Sequence, residues 1–184
     1  MKYIQNWGFT LLELLITLII LAITLSIAVP ALNHQVANAR QRELVSTFNG
    51  AFSFARSQAI TNSVHVTLCP LGPDNRCVDD WTLPVAIFPD TDRNRQPDGD
   101  VLWKLIQPVQ QYRIKSRTGG RGYLTFSPNG LVHGASGSLI ACPESTSSQP
   151  MSFLTVNRGG RFRVVHDRDN DNKIRLAWGA LIEC

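Results

Sequence analysis

Residues 11–29 form an uninterrupted apolar run whose only charge is Glu13, and this segment constrains the chain more than any other. At 1.5 Å per residue a helix over that run spans about 28 Å, close to the hydrocarbon thickness of a bilayer. A cleaved secretory signal has a shorter apolar stretch, roughly 7–15 residues, behind a basic start. Here only Lys2 precedes the run, and an acid lies inside it. A plain single-pass anchor explains the length but not the acid. A carboxylate in a spanning segment is costly and is carried with a partner. Glu13 therefore needs a cation, and its own helix supplies none nearby. Pro30 follows the run; proline removes a backbone donor and clashes with the preceding turn, so a kink is expected there. Lys2 lies before the run and Arg40 and Arg42 after it, so loop charge does not set the orientation.

Beyond Pro30, Leu32, Val36, Leu44, Phe48, Phe52, Ala55 and Ala59 keep helical spacing, with Asn33, Gln35, Asn38, Gln41 and Glu43 on the other side. This predicts an amphipathic continuation over residues 31–62, with Phe48 onward packing on the chain's own domain. After Asn62 short β-type runs alternate with Gly, Pro and Asn breaks. They fall at residues 64–68, 85–88, 101–106, 112–115, 123–126, 138–141, 152–156, 162–165 and 174–178. The expected fold class is α+β: a long N-terminal helix packed on antiparallel, β-sandwich-like sheets. Roughly 150 residues follow the first thirty, enough for one domain with a core.

Cys69, Cys77, Cys142 and Cys184 show no zinc spacing, and an even count in an exported domain favours disulfides. Of the three possible pairings, Cys69–Cys77 closes a short loop, and Cys142–Cys184 would tie down the C-terminal residue. Buried, reduced thiols are the plainer alternative. Asp90, Asp92, Asn94, Asp98 and Asp100, and then Asp167, Asp169 and Asp171, alternate as in a calcium loop. The glycine and the distal glutamate of such a loop are missing, so turns held by Asx hydrogen bonds are expected and no metal. His34, His65, His133 and His166 have no ligand spacing, and no nucleophile or phosphate-cradling motif occurs. Neither a cofactor nor an enzymatic role is expected.

Gly8-Phe9-Thr10-Leu11-Leu12-Glu13, the apolar run and Pro30 together resemble the class III prepilin signature. The resemblance implies that residues 1–8 are a leader removed by prepilin peptidase after Gly8, with Phe9 then N-methylated. It makes 9–30 the transmembrane and assembly helix, 31–62 its continuation and 63–184 the globular head. It also implies that Glu13 meets the N-terminal ammonium of a neighbouring subunit; a buried carboxylate is tolerable when so paired. Residues 31–43 would then face neighbouring subunits.

The head is similar to the FimT/GspH group of minor pilins and pseudopilins. The stretches that carry this are Ala55-Arg56-Ser57-Gln58-Ala59, Phe88-Pro89-Asp90-Thr91-Asp92-Arg93-Asn94, Phe126-Ser127-Pro128-Asn129-Gly130 and Gly160-Arg161-Phe162-Arg163. The resemblance implies an inner-membrane protein with its head in the periplasm that later joins a filament, at or near the tip. Its partners would be major and minor pilins or pseudopilins.

Net charge is +4, and 14 of the 18 basic residues are Arg, which suits a polyanion without demanding one. In a strand, Arg161 and Arg163 would project from one face around Phe162, with Arg158 before them and Arg168 and Arg175 after. Guanidinium forks match phosphate oxygens. The Gly160-Arg161-Phe162-Arg163 stretch resembles the G-R-x-R motif of FimT proteins, which implies double-stranded DNA capture in natural transformation. A soluble, charged strand edge, neutralised by Asp167, Asp169 and Asp171, is the plainer reading. Three functions stay open: a minor type IV pilin priming assembly, that pilin acting also as a DNA receptor, and a minor pseudopilin of type II secretion.

Overall fold

The computed structural model describes residues 10–134, 136–144, 150–167, 169, 171 and 173–184. A single helix, α1 (Leu11–Asn62), runs through Pro30. The chain divides into two compact units, Met1–Val36 and Ala37–Cys184.

In the first unit the described residues are exposed throughout, Leu12, Leu15, Ile19, Ile23 and Ile27 among them. The helix is long and apolar enough to cross a membrane by length and composition. The Thr10 side-chain oxygen accepts the Glu13 backbone N–H at 3.2 Å, which caps the first turn and places Glu13 in it. Thr17, Thr24 and Ser26 donate their hydroxyls to the carbonyls of Leu14, Leu21 and Ile23 at 2.8, 2.9 and 2.7 Å. Each of these three hydroxyls is thus satisfied within the helix, as a medium without water requires.

In the second unit eleven strands follow the helix among the described residues. They are β1 (Val66–Pro70), β2 (Val85–Pro89), β3 (Lys104–Ile106), β4 (Tyr112–Arg117), β5 (Leu124–Phe126), β6 (Val132–His133), β7 (Gly137–Pro143), β8 (Ser152–Val156), β9 (Phe162–His166), β10 (Lys173–Arg175) and β11 (Leu181–Glu183). They form a five-stranded sheet of order β3-β2-β1-β5-β6, a four-stranded sheet β4-β7-β8-β9 and the hairpin β10-β11. Every pairing between them is antiparallel. Two strands, β6 and β11, had no counterpart among the β-type runs. The run at 101–106 shortens to β3, because a 3-10 turn at Asp98–Asp100 precedes it. The run at 174–178 shortens to β10, because the chain turns back at Gly179, where φ is +87°.

One cluster joins the helix to both larger sheets. Leu44, Phe48, Ala51, Phe52, Ala55 and Ala59 meet Val66, Leu68 and Ile87 of one sheet and Leu139, Ala141, Leu154 and Val156 of the other. Alternation then sends Ile140, Cys142 and Phe153 to the outer face of the four-stranded sheet. There Ile174, Leu176 and Ile182 of the hairpin cover them. Two disulfides are formed, Cys69–Cys77 and Cys142–Cys184, the second anchoring the strand after β10 to β7.

One polar seam runs from the core to the surface. Gln41 Nε2 donates to Ser152 Oγ at 2.9 Å and meets His166 Nδ1 at 3.1 Å. An accepting Nδ1 leaves the proton on Nε2, so the seam holds His166 neutral. Desolvation lowers the His166 pKa, and desolvation with the nearby Arg93 lowers that of His65. The unfolded chain then binds more protons than the folded one below pH 6.5, the ordinary histidine value. Stability is complete above that value and falls as pH drops through it toward the depressed folded values. The thermal midpoint is expected to decline from about pH 7.5 to about pH 5.5, and less steeply in His166→Gln, as differential scanning calorimetry would show.

Candidate functional site

Gly8, Phe9 and Arg168 lie outside the described residues. Glu13 is exposed in the first turn of α1, where a carboxylate also suits the positive end of the helix dipole. That placement gives it a local role beside the intermolecular one the sequence suggests.

The basic motif begins in the turn between β8 and β9. Asn157 shapes this turn. Its carbonyl accepts Gly160 N–H at 2.9 Å, and its side-chain oxygen accepts Arg161 N–H at 2.9 Å. Gly160 has φ +71°, a region that penalises side chains. A Cβ there would lie 2.6 Å from the Gly130 carbonyl oxygen. One on Gly130, at φ +74°, would lie 2.7 Å from Ile60 Cδ1. The Arg56 side chain runs beside both glycines, with Nε 3.1 and 3.2 Å from those two hypothetical carbons and Nη1 3.5 Å from the Gly160 carbonyl oxygen. Three stretches distant in sequence therefore meet around Arg56. Phe162 is fixed in the core by Phe52, with ring centroids 5.4 Å apart. The motif's glycine and phenylalanine hold the fold, and its two arginines remain exposed.

Those arginines do not share one strand face. Strand β9 starts at Phe162, so Arg161 stays in the turn. It borders a cleft of about 460 Å³ beside Arg56 and Ile60 of α1. Arg163 borders a different groove, of about 1110 Å³, between the outer face of the four-stranded sheet and the β10-β11 hairpin. Arg158 is exposed in the turn, where its carbonyl accepts Val132 N–H at 3.0 Å. Arg175 lies on β10 with Nη1 3.7 Å from Asp171 Oδ2, and Lys173 reaches Glu183 at 3.3 Å. Asp167 is buried and accepts the Asp169 N–H at 3.1 Å. The acids thus engage the hairpin and its approach, while Arg163 meets no carboxylate among the described residues.

Arg113, Lys115 and Arg117 were not singled out from sequence. They alternate along β4 and are all exposed, on the face opposite the buried Tyr112 and Ile114. Register then sets Arg117 opposite Ser138, Ser138 opposite Thr155, and Thr155 opposite Arg163. The R-x-K-x-R alternation that marks this face is visible in the sequence.

In the first acidic loop, oxygens of Asp90, Asp92 and Asp98 lie within 4.8 Å of one another. Each carboxylate is occupied locally. Asp90 accepts Thr67 Oγ1–H at 2.6 Å and Arg95 N–H at 3.1 Å. Asp92 accepts Asn94 N–H at 3.1 Å, and Asp98 accepts Thr91 N–H at 2.9 Å. These bonds shape a loop whose Arg95 carbonyl accepts Cys77 N–H at 3.1 Å, beside the separate loop that the Cys69–Cys77 disulfide closes.

Residues 44–160 match the family model described as Type II transport protein GspH. Among solved structures, the chain is similar to the type IV minor pilin FimU of Pseudomonas aeruginosa, in two crystal forms. One match has TM-score 0.54 at 15% identity, covering 72% of this chain and 90% of that one. The other has TM-score 0.52 at 16% identity, covering 67% and 91%. The minor pseudopilin EpsH of Vibrio cholerae matches with TM-score 0.47 at 12% identity, over 67% of this chain and 94% of that one. No curated protein matches the chain in sequence.

The split between structural and exposed motif residues has a measurable consequence. Gly160→Ala is expected to lower the unfolding free energy by at least about 1–2 kcal/mol in urea titration. Arg161→Ala and Arg163→Ala, both exposed, should each stay within roughly 0.5 kcal/mol of the parent.

Proposed function

The chain belongs to the GspH family, a minor pilin or pseudopilin with a membrane-anchoring helix, and from that premise we propose that it is a minor type IV pilin that helps start the filament and captures DNA. In this reading residues 1–8 are removed after Gly8 by prepilin peptidase, and Phe9 is N-methylated. The head stands in the periplasm until the subunit enters the filament, at or near its tip. Glu13 then neutralises the ammonium of an adjacent subunit inside the membrane, which makes docking selective for register.

A single observation carries the assembly reading: the apolar stretch 11–29 of α1 is exposed throughout and holds one carboxylate, Glu13. No other subunit is needed to explain the apolar surface, since lipid accepts it, but lipid does not accept the charge. The capping role of Glu13 can be separated from this one, because Gln serves at the same position of a capping box. In a deletion strain complemented with Glu13→Gln, surface filaments and incorporation are expected to be lost while membrane insertion and helix content persist. Unchanged incorporation would end the assembly role.

The DNA reading rests on arginines held open beside a phenylalanine that fixes their backbone. Arg161, Arg163 and Arg158 are the proposed phosphate contacts, with Arg168 and Arg175 flanking. Arg161→Ala with Arg163→Ala should weaken binding to all duplex sequences alike. The slope of log affinity against log salt should fall by about 0.9 for each lost contact in mobility-shift titrations. An unchanged titration would remove DNA capture.

The alternative is a minor pseudopilin of type II secretion, favoured by the description of the matching family. The same deletion strain separates the two readings when scored at once for surface pili, DNA uptake and protein secretion. A defect confined to secretion establishes the second.

A further inference from the structure

We infer that the groove between the four-stranded sheet and the β10-β11 hairpin takes a single nucleic-acid strand, with phosphates on Arg117 and Arg163 and a base stacked on Trp178. The inference rests on the DNA reading above and names the form in which the polymer is held.

The sheet wall of the groove contains a straight cross-strand row, Arg117, Ser138, Thr155 and Arg163. The row crosses three strand spacings, so the two arginines lie about 14 Å apart, with two hydroxyl donors between them. Neither guanidinium meets a carboxylate among the described residues, whereas Lys173 and Arg175 on the opposite wall are paired with Glu183 and Asp171. The positive charge available to a ligand is therefore on the sheet side, in a groove that Asp167 and Asp169 also line.

Trp178 borders the same groove and is 75% exposed, on the turn that joins the hairpin strands. Trp81, by contrast, is buried in the core at 4%. An indole held out at the rim of a cationic groove is a stacking platform that accepts any base. Val165, 38% exposed, gives the groove apolar surface, and Phe153 and Ile174 are buried in its lining. A duplex presents phosphates outward and keeps its base faces stacked on one another, so it could engage the arginines but not Trp178. An unpaired strand engages both. An acidic peptide would engage the arginines and leave the indole unused.

The test uses the full chain in detergent micelles, with oligodeoxythymidylate, a duplex of the same length and polyglutamate as probes. Oligodeoxythymidylate is expected to bind more tightly than the duplex and to quench tryptophan fluorescence. Trp178→Ala should abolish most of the quenching and weaken that binding roughly tenfold or more, with duplex binding little changed. Trp178→Phe, which keeps an aromatic face, should restore most of it. Arg117→Ala should reduce the single-strand salt slope by about 0.7, one phosphate's worth.

Equal affinity for both forms, with Trp178→Ala silent on each, would overturn the single-strand groove and leave duplex capture by the arginine motif standing. Polyglutamate displacing oligodeoxythymidylate with comparable affinity would overturn it in favour of an acidic protein segment. Failure of the DNA reading itself shows separately, as duplex binding that Arg161→Ala with Arg163→Ala does not alter.

Discussion

The head depends on one apolar stripe of α1 being shared by two sheets. Ala51, Ala55 and Ala59 are fully buried beside Leu44, Phe48 and Phe52, and this one row touches the inner faces of both. Small side chains let the sheets approach the helix backbone, and the two phenylalanines fill the wider gap toward Trp81 and Phe162. Because each strand alternates, the side chains that face the helix are apolar outside the Gln41–Ser152–His166 seam, and the cationic row of the four-stranded sheet faces away. The outer faces then differ in cover. The five-stranded sheet is closed over by the loop tied at Cys69–Cys77. The four-stranded sheet is only partly closed, by a hairpin anchored through Cys142–Cys184.

That same row brings three of the four resemblance stretches together. Arg56 leaves the helix one residue after the buried Ala55 and lies beside Gly130 and Gly160, neither of which has room for a side chain. The helix end, the turn after β5 and the turn before β9 are thus one packing unit. In the G-R-x-R stretch the glycine permits a left-handed turn against another backbone, and the phenylalanine anchors the strand to Phe52. The residues between them are free to vary in chemistry without loss of fold. Arginines in such positions are a choice of surface rather than of structure.

Much of this fold was legible from spacing. The 3.6-residue stripe named every helix residue that reaches the core from Leu44 onward except Ala51. Each of the nine β-type runs overlaps a strand. What escaped was short or depended on turns. Strand β6 has two residues, too few to alternate, and β11 exists only because Gly179 reverses the chain onto β10. Alternation around Phe162 predicts Arg161 and Arg163 on one strand face. Asn157 and Gly160 instead build a turn that ends at Arg161, so Arg161 and Arg163 border different grooves. Periodicity reports which face a residue takes within a strand but not where the strand begins. The Arg113, Lys115, Arg117 alternation was present in plain view. Its meaning needs the register that lines it up with Arg163, and that register is set three strands away.

Cations on both edges of one sheet have a structural use of their own. Strands β4 and β9 are the edges of the four-stranded sheet, and charge there discourages pairing with another chain's strand. For that purpose alone, any scatter of lysines along the edges would do. The arrangement here is more specific: arginine ends a row of hydroxyl side chains on each edge, and an exposed indole overlooks the row from the hairpin. Edge protection does not require the hydroxyls or the tryptophan, and a stable hairpin turn does not require an indole in water. The features that the fold leaves unexplained are therefore the ones that converge on a single groove.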